Sequence, residues 1–144
     1  MFPEGTRLDS LILMDFECKS CGLDTNPGIR LYLRDGSLRV DRAKVGIKDP
    51  FLPRLPTKMK AGLWESITWQ VVLGKENAGS SKVWLNDELV IDAVGTTLLT
   101  QEVVSKLANI TVKEQVDRFQ VGLTANSQNK AVTVYLDDVT FCAN

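Results

Sequence analysis

A chain of 144 residues suits one domain built around one core. Apolar residues make up 44% and charged residues 24%, and a net charge of −1 gives no field that would draw in nucleic acid or a membrane surface. There is no histidine, which excludes Ser-His-Asp and Cys-His machinery and imidazole metal sites.

Acid/base chemistry near neutral pH then falls to carboxylates, Lys, Cys or the two tyrosines, Tyr32 and Tyr135. The opening "MFPEGTRLDS" carries no basic-then-apolar leader, and no apolar run reaches the length of a membrane span. "LDSLILMDFE" reads as a first, largely apolar strand. "CKSCG" follows, with Cys18 and Cys21 in the shape of half a zinc knuckle. A structural zinc wants four ligands, and neither a second pair nor a histidine exists. The alternatives are free, partly buried thiols or a disulfide from Cys142 to Cys18 or Cys21.

Period-two alternation dominates the middle of the chain. In "GIRLYLRDGSLRVD", Ile29, Leu31 and Leu33 point one way and Arg30, Tyr32 and Arg34 the other. Asp35-Gly36 is a hairpin turn, after which Leu38 and Val40 resume the apolar face. "GIKDPFLPRLPTKMKAG" carries Pro50, Pro53 and Pro56, a density that prevents ladder pairing. It is read as a stiff crossover with Phe51 and Leu55 capping the core, although its PxxP spacing also suits a ligand for an aromatic groove. "ESITWQVVLG" places Ile67, Trp69, Val71 and Leu73 on one face. In "GSSKVWLNDELVID", Val83 and Leu85 precede a turn at Asn86-Asp87, and Leu89 and Ile91 follow.

"TTLLTQEVVSKLAN" fits one short helix, with Thr100 as N-cap and Glu102, Val103, Lys106 and Leu107 on it. Asn109-Ile110-Thr111 is a glycosylation sequon by pattern, meaningful only in a eukaryotic secretory setting. "DRFQVGLTAN" turns Phe119, Val121 and Leu123 inward and Arg118, Gln120 and Thr124 outward. The final "AVTVYLDDVTF" slips phase: Val132, Val134 and Leu136 are even, while Val139 and Phe141 are odd. A slip within a strand is what a β-bulge produces, so Asp137-Asp138 is read first as architecture, with a carboxylate accepting freed backbone N–H groups. A structural calcium site comes second, because a hard cation needs more oxygens than this pair supplies; an acid/base role comes last. Many short amphipathic strands with hairpin turns predict an all-β fold: an antiparallel β-sandwich over residues 1–144 with at most one short helix.

Three segments in order, "KVWLNDELVID", "DRFQVGLTAN" and "AVTVYLDDVTF", resemble the second half of concanavalin A-like jelly rolls, and within these the alginate- and glucuronan-type polysaccharide lyases. Trp84, Asn86, Phe119, Gly122, Asp137, Asp138 and Val139 occupy matching positions, over roughly Gly28 to Phe141. The resemblance implies a jelly-roll scaffold, a polysaccharide ligand and a secreted or periplasmic setting. It does not carry over the chemistry. Thr124 stands where those lyases place a catalytic tyrosine, Gln120 stands where they place a lysine, and no histidine falls near "LILMDFE". Their early Arg-x-Glu strand has no counterpart here.

In such folds the polar face of one sheet makes the glycan groove. Alternation nominates Arg30, Tyr32, Arg34, Arg39, Thr68, Gln70, Arg118, Gln120 and Thr124, with Trp84 as a sugar platform or a plug under a loop. Arginine forks suit carboxylates and aromatic rings suit sugar faces, so the expected function is non-catalytic binding of polysaccharide, with a preference for uronates. The plainer reading is a solvated outer face, which any sandwich needs. Two other classes stand beside these. One is a divergent lyase with Tyr32 or Tyr135 as base and Arg30 or Arg34 as carboxylate neutraliser. The other is a module that self-associates through an open sheet edge. No cofactor is expected beyond a structural calcium at Asp137 and Asp138, and neither nucleic acid nor membrane is an expected partner.

Overall fold

A computed structural model describes residues 1–106 and 109–143. Among them are strands β1 (Leu11–Glu17), β2 (Gly28–Arg34), β3 (Ser37–Asp41), β4 (Ile67–Val72), β5 (Ser80–Leu85), β6 (Glu88–Val94) and β7 (Arg118–Asn126), with one short helix, α1 (Gln101–Ser105). The strands form two antiparallel sheets, one ordered β3-β2-β1-β7 and the other β4-β5-β6.

Two hairpins set the registers. Asp35 and Gly36 both have positive φ (49° and 77°), as do Asn86 and Asp87 (50° and 65°). Paired positive φ gives a turn whose twist matches that of the strands it joins. The sheets then bury their apolar faces against each other. Leu11, Ile29, Leu31, Leu33 and Val40 from the four-stranded sheet are wholly buried in one cluster with Val83 and Ile91 from the other. Phe16 meets Trp69 edge-on at 5.0 Å across the gap, and the Trp69 indole N–H donates to buried Ser81 Oγ at 2.9 Å.

One side of this sandwich is closed by the proline-rich loop. Phe51 exchanges backbone hydrogen bonds with Val40 on β3, and the Arg54 N–H donates to Val90 O on β6, so the loop bridges both sheet edges. Phe51 is buried as expected, whereas Leu55 is 58% exposed and caps nothing, because the chain has already turned toward β6 at Arg54. Arg42 pins the loop. Its guanidinium stacks 3.7 Å over the Phe51 ring and donates to Asp49 O (2.8 and 3.1 Å) and Thr96 O (3.2 Å).

Four further expectations are corrected. Leu73 lies past the end of β4 and is exposed, so it does not continue the inward row. The register of β5 and β6 shifts by one residue, pairing Leu89 with outward-facing Trp84 and leaving Val90 and Ile91 buried. Cys18 and Cys21 bond to each other, which removes the zinc ligands and leaves Cys142 free and exposed. Residues 131–143 form no strand. That segment follows β7 with no ladder, and among the described residues its backbone-to-backbone hydrogen bonds outside the segment run to Met1, through Tyr135 (2.7 and 2.8 Å). Phe141 still stacks on Phe119 at 4.9 Å. Asp138 has φ 50°, and the Asp137 carboxylate accepts its N–H at 3.0 Å. The pair therefore makes a bend with a carboxylate on the backbone, not a bulge in a strand. In α1, Thr100 is the N-cap, accepting the Val103 N–H, and Glu102 pairs with Lys106; Leu107 lies outside the described residues.

Candidate functional site

The outer face of the four-stranded sheet gathers most of the nominated residues. Cross-strand partners share a face, and the register pairs Arg30 with Asp41, Tyr32 with Arg39, Asp15 with both Arg30 and Gln120, and Glu17 with Arg118. Arg30, Tyr32, Arg34, Arg39, Arg118 and Gln120 thus come together, and Thr124 joins them with its hydroxyl on Asp15. Gln70 and Trp84 do not: they face outward on the other sheet, beside Lys82 and Thr68 respectively. Parity along one strand does not say which sheet that strand joins.

Two residues of this face were missed by sequence reasoning, Asp15 and Glu17. Each is nearly sealed from solvent, at 3% and 5% exposure. Strict alternation from Leu11 gives them the phase of the core residues Leu11 and Leu13. The register of β1 shifts between Ile12 and Met14, and the extra residue, Leu13, returns both carboxylates to the outer face. The overlooked signal is a pair of acids two apart inside an apolar strand.

The charges on the face are largely paired. Asp41 holds Arg30, Glu17 holds Lys44 at 2.9 Å, and Asp9 lies 3.7 Å from Arg34. Asp9 also accepts the Asp35 N–H at 3.1 Å, the main reason its carboxyl sits below the usual range. With its amide oriented to suit both neighbours, Gln120 donates to Glu17 at 3.2 Å and accepts from Arg118 at 3.1 Å. Asp15, Arg39 and Arg118 make no ion pair among the described residues, and Asp15 is the buried one. Burial pushes its carboxyl up, and Glu17 adds to this, while the Thr124 hydroxyl, Lys44 and Arg30 pull it down.

Among the described residues the buried side-chain polar atoms without a partner are Asp15 Oδ1, Arg30 Nε and Arg39 Nε. All three belong to this face, on three adjacent strands. A buried polar atom left unpaired costs about 1–3 kcal/mol, and these three lie beneath one surface.

At the face's end, Asp117 anchors the disulfide loop. It accepts the Ser20 hydroxyl and the N–H groups of Lys19 (2.6 Å) and Ser20 (3.0 Å), which draw its carboxyl down to about 2.

A different surface opens between the edge of β4 and the C-terminal segment. It is a cleft of about 1990 Å³ lined by Phe16, Trp69, Phe119, Leu136, Val139 and Phe141, with Trp84 on its rim. Its size reflects the uncovered side of the sandwich. It holds none of the three unpartnered buried atoms. Among the described residues, no cluster of three or more acidic, Cys or His side chains is placed to hold a metal ion, and no helix is long and apolar enough to cross a membrane. No protein-family model, curated protein or solved structure matches this chain.

Proposed function

We propose that the outer face of the four-stranded sheet binds a polysaccharide, on a scaffold of the concanavalin A-like jelly-roll type, without cleaving it. One observation carries this reading. The unpartnered Asp15 Oδ1, Arg30 Nε and Arg39 Nε lie beneath one patch of adjoining strands, where the Arg30 and Arg39 side chains are partly exposed. Sugar hydroxyls both donate and accept, which suits a patch of arginine donors and carboxylates. Tyr32, between the arginines on β2 and β3, adds an aromatic surface to the same patch.

The test is calorimetric titration against a polysaccharide panel, with the double variant R30A/R39A and, as control, R54A, whose partner Asp92 lies on the other sheet. Loss of two charged donors should weaken binding by tenfold or more, on the order of 1.4 kcal/mol, with the control unchanged. Equal affinity for the double variant sinks the assignment. Release of unsaturated uronate ends during the titration would replace it with a divergent lyase.

Association between copies is a second reading. The exposed side chains of Trp64, Leu73, Leu136, Val139 and Phe141, around the unpaired edge of β4, favour it. A monomer mass that holds across a hundredfold concentration range would exclude it.

A further inference from the structure

Three basic groups of the sheet face are already held by carboxylates. Arg30 is occupied by Asp41, Arg34 by Asp9 and Lys44 by Glu17. Arg39 and Arg118 make no ion pair among the described residues, but they stand on the two outermost strands, β3 and β7. The middle belongs to Asp15 on β1, 3% exposed, flanked across the ladder by Arg30 and Gln120, with Oδ1 unpaired.

These facts set the cost of each ligand class. A sugar carboxylate over the centre meets arginines that are already neutralised and a carboxyl group that is not. To gain Arg30 it must displace Asp41, which exchanges one ion pair for another and leaves Asp41 stranded. A hydroxyl carries no charge, so it meets no like-charge penalty from Asp15 and leaves the Arg30–Asp41 pair in place. The first ligand is penalised by a like charge at close range, and the second is not.

Resting on the polysaccharide-binding reading, we infer that Asp15 is a specificity determinant that makes this face select uncharged, hydroxyl-rich polysaccharides over uronate-bearing ones. Arginine content alone points the other way, because counting arginines treats each as free.

Titration of the wild-type protein with soluble xylan, mannan and β-glucan, and with alginate and polygalacturonate, tests this at low and moderate salt. An uncharged polymer should bind with an affinity that salt hardly changes, and the polyuronates should bind about tenfold more weakly or worse. Asp15→Asn removes the charge at constant shape. It should narrow that gap by raising polyuronate affinity, with its melting curve confirming the fold. Tighter binding of a polyuronate than of every uncharged polymer overturns the inference while leaving the face a polysaccharide site. An unchanged ratio in the D15N protein overturns the role of Asp15 itself. Silence toward every polymer overturns this inference and the reading beneath it together. Should D15N fail to fold, the wild-type ratio decides alone.

Discussion

Asp15 should make the protein less stable as pH rises through the acid range, and D15N should remove that loss. Its carboxyl titrates above the ordinary 3.8, chiefly because burial penalises the charged form. Below pH 3.8 the group is protonated in both folded and unfolded chains, so it contributes nothing to their difference. As pH climbs through the raised native value, the unfolded chain gives up its proton freely and the native chain does so at a cost, so stability falls. Above that window the penalty is constant. An unpaired buried polar atom costs about 1–3 kcal/mol, and an asparagine keeps one such atom, so D15N should gain roughly 1 kcal/mol at pH 7 and nothing at pH 3. Urea denaturation of both proteins from pH 3 to pH 7 measures this. Asp9, Glu102, Glu114 and Asp117 all titrate below their ordinary values and lose stability in the opposite direction, as pH falls. They are common to both proteins and cancel in the difference. A difference flat with pH, or D15N less stable at pH 7, refutes the burial argument.

Arg42→Ala removes three hydrogen bonds to backbone carbonyls and a stacked cation from the loop that closes the sandwich, and should cost about 2–4 kcal/mol in urea. A loss under about 1 kcal/mol would mean that Phe51 seats the loop unaided. Asp117→Ala should speed amide exchange at Lys19 and Ser20. It should also flatten the acid limb of stability, because a carboxyl held at about 2 supplies stability above pH 3.8 that drains away as pH falls toward 2. Thiol labelling of the native protein should reach Cys142 alone, with Cys18 and Cys21 reacting only after reduction and unfolding, since both are buried and bonded to each other. Native labelling of more than one thiol per chain would overturn that pairing.

The hairpin of β2 and β3 was legible residue by residue, because its alternation, its Asp35-Gly36 turn and its apolar row all agree. The bounds of β7 and the Thr100 cap were legible for the same reason. What alternation cannot carry is partnership between strands. Gln70 and Trp84 have the right parity and the wrong sheet. A disulfide from Cys142 to Cys18 or Cys21 needs neighbouring terminal strands, and residues 131–143 make no strand. Of the candidate site, the arginines and Tyr32 were readable, whereas Asp15 and Glu17 were hidden behind a one-residue shift.

That shift and the one at the C-terminus pose the same physical problem and reach different solutions. In β1 the apolar phase meets two carboxylates, and keeping strict alternation would drive Asp15 and Glu17 between the sheets. Burying even one unpaired carboxylate there costs several kcal/mol, whereas a bulge sacrifices about one ladder bond. β1 is hydrogen-bonded on both sides, to β2 and β7, so its ladders hold the strand while Leu13 absorbs the extra residue. The phase slip at Asp137-Asp138 has no ladder to preserve. Among the described residues its backbone is tied to Met1 at Tyr135 and to no ladder, so Asp138 turns to φ 50° and the Asp137 carboxylate closes the bend from within. A phase slip in sequence therefore reads as a bulge only where two neighbours already fix the strand. Where they do not, the same slip ends it, which is why the pair of aspartates that stands out in the sequence is a bend, and the pair that does not stand out lies in the candidate site.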